Sequence, residues 1–213
     1  MNMQTAEIIV DDASTDNSIE IISKFVIDDR IKLEINRENK GCGFTKNKCV
    51  ELVKGEYCGF LDPDDTLEEN ALQEMIQAHS QYPSSSLIYS RLNLCDKDLN
   101  LIEKSNYAFQ MKKPGSFLYS DPGRVSHFAV FKLESYKKTH GINPNLKRAV
   151  DQDLYLKLEE QGELTLLDRN LYNYRQHSGG ISLHKNVDKA MAWNIKVRID
   201  TCERRNISIE EVI

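Results

Sequence analysis

The sequence predicts an α/β domain in which a mixed, mainly parallel sheet carries helices on both faces. Strand-like and helix-like segments alternate over the first half of the chain, as they do in proteins with parallel sheets. Aspartates directly follow two of the predicted strands, where open α/β sheets bind ligands. The 213 residues are 40% hydrophobic and 29% charged, which is typical of one globular domain with a substantial core.

The first half alternates regularly. The predicted strands are short apolar or alternating runs at residues 7–10, 31–35, 57–61 and 87–94. The predicted helices begin after a cap at Ser14 or Asp16, at Thr45 and at Thr66. Glu69 follows Thr66 at the spacing of a capping box, which favours a helix start there.

The second half is more mixed, which indicates antiparallel additions to the sheet. Residues 96–124 are polar and are expected to form a hairpin or an active-site loop. Strands are predicted at residues 125–132, 164–167 and 171–174, and helices at residues 135–139, 151–161 and 186–205.

Charge and composition exclude several classes of function. The net charge of -5 lacks the positive field that nucleic-acid binding requires. The five cysteines include no C-x-x-C pair, so we expect reduced, mostly buried thiols. We see no apolar run of about 20 residues and no secretory signal. We therefore expect a cytoplasmic protein without a transmembrane segment, associated at most peripherally with the inner face of the membrane.

The segment Asp62-Pro63-Asp64-Asp65 is the first candidate site. Clustered carboxylates repel one another when they are partly desolvated. A magnesium or manganese ion relieves that repulsion, because both prefer oxygen ligands and often bridge substrate phosphates. The same spacing also fits a solvated turn that caps the next helix, and both interpretations remain open on spacing alone.

Three further positions allow a functional and a structural interpretation. Asp11 and Asp12 end the first strand, where they either bind a ribose or a base or begin a turn. Asp151 begins a helix, where it either interacts with the helix dipole or acts as a general base. His177 precedes two glycines and either ligates a metal or phosphate or lies on the surface.

Other polar and aromatic residues near these positions are expected to be structural. His127 fits a core histidine that is satisfied by its neighbours. Tyr172 and Tyr174 are expected to pack within the sheet, and Arg175 is expected to pair with a carboxylate.

Several motifs occur in a fixed order between residues 6 and 182. They read I-I-V-D-D-A-S-T-D at 8–16, N-K-G at 39–41, T-K-N at 45–47, G-E-Y and F-L-D-P-D-D between 55 and 65, V-D-Q-D-L at 150–154 and Y-R-Q-H at 174–177. This ordered set resembles the family 2 inverting glycosyltransferases, which have the Rossmann-like GT-A fold. Ala13, Lys46 and Val150 stand where the family usually has glycine, arginine and glutamate.

The family pattern begins with a strand and a helix that have no counterpart here, so the resemblance predicts an N-terminally truncated GT-A domain. It further predicts a single domain over residues 1–213. Residues 1–95 would form the nucleotide-binding half, residues 96–185 the acceptor-side half and residues 186–213 a C-terminal helix.

The resemblance implies a role for each acidic position on the donor side. Asp12 would bind the base of the nucleotide, which is expected to be uracil, and Asp11 would support that pocket. Asp62 and Asp64 would contact the ribose and a Mn²⁺ or Mg²⁺ ion on the diphosphate, with Asp65 assisting.

The remaining implied roles concern the transfer itself. Asp151 would be the general base that deprotonates the acceptor hydroxyl, and His177 would touch the metal or the diphosphate. Lys46 would contact phosphate. The implied partners are a nucleotide-diphosphosugar donor and a saccharide or lipid-linked saccharide acceptor, in the synthesis of bacterial surface polysaccharides.

Two alternatives compete with this interpretation. Asp62-Pro63-Asp64-Asp65-Thr66 also fits the D-x-D-x-T motif of haloacid-dehalogenase-like phosphatases, in which Asp62 would be phosphorylated and Asp64 would be the acid/base. The chain would otherwise be a non-catalytic remnant that binds a nucleotide sugar.

Overall fold

The computed structural model describes residues 5–177 and 187–212 of the chain. The strands, in chain order, are β1 (Glu7–Asp11), β2 (Ile31–Ile35), β3 (Tyr57–Gly59), β4 (Thr66–Leu67), β5 (Ser85–Cys95), β6 (Leu101–Lys104), β7 (Ala129–Lys132) and β8 (Glu163–Arg175). The α-helices are α1 (Ser18–Ser23), α2 (Cys42–Leu52), α3 (Ala71–Gln81), α4 (Leu133–Tyr136), α5 (Val150–Glu159) and α6 (Val187–Arg205). Over these two ranges, no helix is long and apolar enough to cross a membrane.

The main sheet has six strands and is mixed. Its strand order is β3-β7-β5-β8-β4, and β6 pairs with β5 outside this path. The central pair, β5 and β8, is parallel, whereas β3, β4, β6 and β7 each join antiparallel. The predicted antiparallel additions and the predicted hairpin after residue 96 are therefore confirmed.

Two hydrophobic cores lie on opposite faces of this sheet, because successive side chains of β5 point to opposite faces. Leu87 and Tyr89 belong to a core that also contains residues of α5 and α6. Ile88 belongs to a second core that contains Met75 and other residues of α3. Helices thus cover both faces of a mixed sheet, so the predicted α/β class is confirmed. Of the five strand pairs that the described residues form in the main sheet, only β5–β8 is parallel.

The first two strands form a separate parallel pair. Among the described residues, β1 and β2 hydrogen-bond with each other and with no strand of the main sheet. This corrects the expectation that both acidic clusters end strands of a single sheet. The helix predicted after Asp16 is present as α1, but it has no buried residue, and Phe25 just beyond it is 58% exposed.

The predicted helix start at Thr66 is wrong. Thr66 and Leu67 form β4 and pair with Asn173 and Tyr172 of β8, and α3 begins only at Ala71. Cross-strand pairing with β8 outweighs the local capping-box signal here. The two short strands predicted between residues 164 and 174 are one continuous strand, β8.

A close backbone approach joins α2 to the loop before α5. The Gly43 N–H donates to the carbonyl of Leu146 at 2.9 Å. A Cβ atom at position 43 would collide with that carbonyl and would lie 2.7 Å from the carbonyl oxygen of Asn143. Only glycine therefore allows α2 to approach this loop so closely.

We predict that Gly43→Ala destabilises the protein by about 1–3 kcal/mol, because the new methyl group meets backbone that cannot rotate away. Gly55→Ala is the matched control, since its Cβ would meet its nearest neighbour only at 3.4 Å. Urea denaturation measures both. Equal free energies of unfolding for the two variants would contradict the proposed close approach.

Candidate functional site

The segment after β3 is fixed to β8 by its last aspartate. Asp65 is buried, and its carboxylate accepts hydrogen bonds from the Tyr172 hydroxyl and from the Arg175 backbone N–H, both at 2.7 Å. Burial raises the pKa of Asp65, although these two hydrogen bonds act in the opposite direction. Asp65 therefore anchors the segment.

Asp64 lies beside His177. The Asp64 carboxylate is 2.8 Å from the Nε2 atom of His177, and the Asp64 carbonyl accepts a hydrogen bond from Arg175 Nε at 2.6 Å. Both the carboxylate and the imidazole are partly exposed. Two residues that lie 113 positions apart thus present a partly exposed carboxylate–imidazole pair to solvent.

Lys46 lies between the other two predicted site carboxylates. Its Nζ atom is 2.8 Å from Asp151 Oδ1 and 3.3 Å from Asp62 Oδ1, and its side chain is 12% exposed. The ammonium group also lies 5.0 Å from the centre of the Phe60 ring, which adds a cation–π interaction. One buried cation therefore joins the end of β3 to the start of α5.

This arrangement shifts the pKa values of the paired groups. Burial alone would lower the pKa of Lys46, but the charges of Asp151 and Asp62 raise it well above its usual value. Burial alone would raise the pKa of Asp151, but the charge of Lys46 lowers it. Both groups are therefore held in their ionised forms.

His127 and Tyr172 belong to this site, although their sequence context indicated only packing. The two rings stack with their centres 5.3 Å apart, and the charge of His127 contributes to the lowered pKa of Asp151. The Tyr172 hydroxyl also accepts a hydrogen bond from the backbone N–H of Asp62 at 3.3 Å. Tyr172 lies just before the Y-R-Q-H motif, which is a sequence signal for its role, whereas no motif lies near His127 in the sequence.

Asp12 organises the loop before α2. Its carboxylate accepts hydrogen bonds from Asn36 Nδ2 at 2.8 Å, from the Lys40 N–H at 2.9 Å and from the Gly41 N–H at 2.8 Å. Burial would raise the pKa of Asp12, but these donors lower it. The neighbouring Asp11 is buried and accepts a hydrogen bond from the Ser14 N–H.

The turn at Ala13 has a left-handed backbone with a φ of +63°, which explains why the resembling motif has glycine there. Alanine adopts this conformation at a cost of about 1–2 kcal/mol.

The two acidic clusters follow strands of different sheets, yet both lie near the start of α2. Charges from both clusters act on the pKa of the Cys42 thiol. Burial raises its pKa, Lys46 opposes the increase, and the charges of Asp151, Asp62 and Asp12 add to it. Both clusters therefore act on one point of the first helical turn.

The side chains present fit a metal ion whose coordination is completed by substrate phosphates. Within residues 5–177 and 187–212, no group of three or more His, Cys, Asp or Glu side chains is placed to hold a metal. Asp64 and His177 supply two ligands at most. Magnesium-type ions are often bound by one or two carboxylates, with substrate phosphates completing the coordination.

Comparison with known proteins gives a family match. The sequence model of glycosyl transferase family 2 matches residues 4–139, which include the aspartates before α2 and after β3. This match decides between the two enzyme classes that the Asp62 segment fits by itself.

Two polysaccharide synthases among the relatives are considerably longer than this chain. The chain is 31% identical over 179 residues to the chondroitin synthase of Escherichia coli, which covers 83% of the chain and 25% of that protein. It is 29% identical over 180 residues to the hyaluronan synthase of Pasteurella multocida, covering 83% of the chain and 18% of that protein. The chain thus spans about a quarter or less of these synthases.

Solved structures agree on the fold. The structure of Staphylococcus aureus TarS 1–349 in complex with UDP-GlcNAc superposes with a TM-score of 0.71 at 18% identity, covering 92% of this chain and 57% of that one. The same protein in complex with UDP gives a TM-score of 0.67 at 18% identity, covering 90% and 55%. At this identity the similarity establishes the GT-A fold alone.

We predict a strong energetic coupling between Lys46 and Asp151. A double-mutant cycle with Lys46→Met and Asp151→Asn is expected to give a coupling energy of about 1–3 kcal/mol, because both partners are largely shielded from water. The control cycle uses the exposed pair Lys196 and Asp200, for which about 0.5 kcal/mol or less is expected. Urea denaturation provides the four stabilities of each cycle, and equal coupling in both cycles would refute the prediction.

Proposed function

Since the chain belongs to glycosyl transferase family 2, we propose that it transfers a sugar from a UDP-sugar to a hydroxyl group of a saccharide acceptor, with inversion at the anomeric carbon. The observation that carries this proposal is the arrangement around Lys46. Asp64, on the segment after β3, and His177, just after β8, form a partly exposed pair. The carboxylate of Asp151 lies at the start of α5. Asp62 and Lys46 connect the two.

The donor would lie against the loop that Asp12 holds. The hydrogen bonds from Asn36, Lys40 and Gly41 occupy part of the Asp12 carboxylate, and a carboxylate has about four acceptor positions. The Oδ2 atom therefore retains capacity for the imide N–H of a uracil ring. The TarS structures support this choice of nucleotide, because they contain UDP and UDP-GlcNAc.

The diphosphate would lie at Asp64 and His177, with the Asp62 side chain toward the ribose. A bound Mn²⁺ or Mg²⁺ ion would add positive charge at the leaving diphosphate. Asp64 would hold that ion and His177 would contact the ion or the diphosphate, which would fix the diphosphate end of the donor in one orientation. Lys46 is the nearest described cation to Asp62 and would contact the arriving phosphate.

Asp151 would act on the acceptor. Its Oδ1 atom accepts a hydrogen bond from Lys46, which leaves Oδ2 to take the proton of the acceptor hydroxyl. The hydroxyl oxygen forms the bond to the anomeric carbon from the side opposite the diphosphate. The bond from that carbon to the diphosphate oxygen breaks, and its electron pair leaves with UDP.

The relatives suggest the setting of this reaction. Two are named chondroitin synthase and hyaluronan synthase, and a third, in Bacillus subtilis, is a putative teichuronic acid biosynthesis glycosyltransferase. That protein is 26% identical over 197 residues, covering 91% of this chain and 76% of its own length. We therefore place the activity in the assembly of bacterial surface polysaccharides.

We predict that Asp64→Ala weakens the binding of UDP in the presence of MnCl₂ by about tenfold or more, which corresponds to about 1.4 kcal/mol. The physical reason is the loss of a carboxylate beside His177. Isothermal titration calorimetry measures the affinity. Asp98→Ala serves as the control, because Asp98 is exposed and pairs with its neighbour Lys97. Unchanged manganese-dependent binding by Asp64→Ala would exclude the proposed diphosphate site.

We further predict that Asp151→Asn lowers kcat by about 10²–10⁴-fold, as expected for loss of a general base, while the affinity for UDP changes little. Release of UDP from a UDP-sugar that the unmodified chain turns over measures the rate. Asp188→Asn is the matched control, since Asp188 also lies in the first turn of a helix. A similar loss of rate in both variants would instead indicate an effect on the helix dipole.

A further inference from the structure

A cavity outside the candidate site lies on the face of the sheet opposite Tyr172. Its volume is about 390 Å³, at the lower end of the range for small-molecule sites. Residues of β4, β5, β6 and β8 and their adjoining turns line it: Thr66, Glu68, Asn93, Cys95, Leu99, Leu101, Lys104, Asn170 and Asn173. We call it the amide groove. Tyr172 and Asn173 are consecutive in β8, so their side chains point to opposite faces.

A row of polar side chains crosses three strands of this groove. Asn93 Nδ2 donates to Asn173 Oδ1 at 2.8 Å and to Glu68 Oε1 at 3.1 Å. Asn173 Nδ2 donates to Thr66 Oγ1 at 3.3 Å. These bonds fix the carboxamide planes, so the row is a preformed surface of donors and acceptors.

One atom of the row has no partner. Asn93 is 6% exposed, and its Oδ1 atom has no hydrogen-bond partner among the described residues. Buried carboxamide oxygens without a donor are rare in native proteins, because each costs about 1–3 kcal/mol of desolvation energy. A ligand hydroxyl that entered the groove and donated to this oxygen would recover that energy.

The lining excludes most other ligand classes. Among the described residues that line it, Lys104 is the one cation and Glu68 is the one carboxylate. A single cation argues against a phosphate site, and a single carboxylate argues against a metal site. These described lining residues include no aromatic ring that could stack on a nucleobase. Carboxamides donate and accept at once, and so do sugar hydroxyls.

We propose that the amide groove binds a sugar unit of the acceptor chain, remote from the reacting hydroxyl. The identification of this saccharide as the acceptor rests on the proposed glycosyl transfer. The groove is joined to the transfer site through β8, in which Tyr172 holds Asp65 and Arg175 contacts Asp64. Arg175 also donates to the Lys97 carbonyl in the turn before β6. A chain of several sugars bound along this edge would reach from the groove to the segment after β3.

The test uses the full ¹⁵N-labelled chain and three probes: a hyaluronan tetrasaccharide, a chondroitin tetrasaccharide and maltotetraose. We expect at least one probe to shift the side-chain amide resonances of Asn93, Asn170 and Asn173 in a saturable manner. Glu68→Gln should weaken that binding by about fivefold or more, because a carboxylate accepts hydrogen bonds more strongly than an amide. Glu69→Gln, which removes the same charge one residue outside the lining, should leave the affinity within about twofold.

Two results would overturn the proposal: no shift of these amides with any probe, or equal weakening by Glu68→Gln and Glu69→Gln. Titration of the same samples with UDP and MnCl₂ separates the two claims. Binding of UDP with a silent groove overturns the saccharide site alone. A responding groove without UDP binding supports the saccharide site and counts against the donor site.

Discussion

The ammonium group of Lys46 lies within 3.3 Å of carboxylate oxygens from both Asp62 and Asp151. Those two oxygens are therefore at most about 6 Å apart, where two like charges in a partly buried setting repel by about 3 kcal/mol. Lys46 converts that repulsion into attraction. The contact between the end of β3 and the start of α5 depends on this one cation, and so does the ionised state of Asp151.

Several local features bring Lys46 to this position. Gly43 lets α2 approach the backbone before α5, where a side chain would collide. Phe60 provides an aromatic surface beside the ammonium group. Asp65 accepts hydrogen bonds from Tyr172 and from the backbone of β8 and so holds the segment after β3 against β8. The same lysine is then the cation that an incoming diphosphate would meet, so binding of the donor and positioning of Asp151 would be linked through one side chain.

The sequence indicates which residues are candidates for the site, but it does not indicate which side chains they contact. Asp62, Asp64, Asp151 and His177 stood out because carboxylates and a histidine followed predicted strands or began a helix. The pairing of Lys46 with Asp151, 105 positions away, depends on how α2 packs and leaves no local signal.

The same distinction explains the errors in the fold. Periodicity correctly located most strands and helices. The capping-box spacing predicts a helix at Thr66 and Leu67 because it is a local signal. Their pairing with β8 is a tertiary contact, which the local sequence does not encode. The separation of β1 and β2 from the main sheet likewise depends on which strand edges meet, which periodicity does not encode. The two ring partners His127 and Tyr172 carry the residue types of an ordinary core, so only their position reveals a role at the site.

The most direct test of the central claim is a crystal structure of the chain with UDP and MnCl₂, with anomalous diffraction data collected at the manganese edge. The account predicts a manganese peak between Asp64, His177 and the diphosphate, with the uracil ring beside Asp12 and Lys46 turned toward phosphate. UDP bound beside Asp12 without a manganese peak, or a manganese peak remote from Asp64, would contradict it.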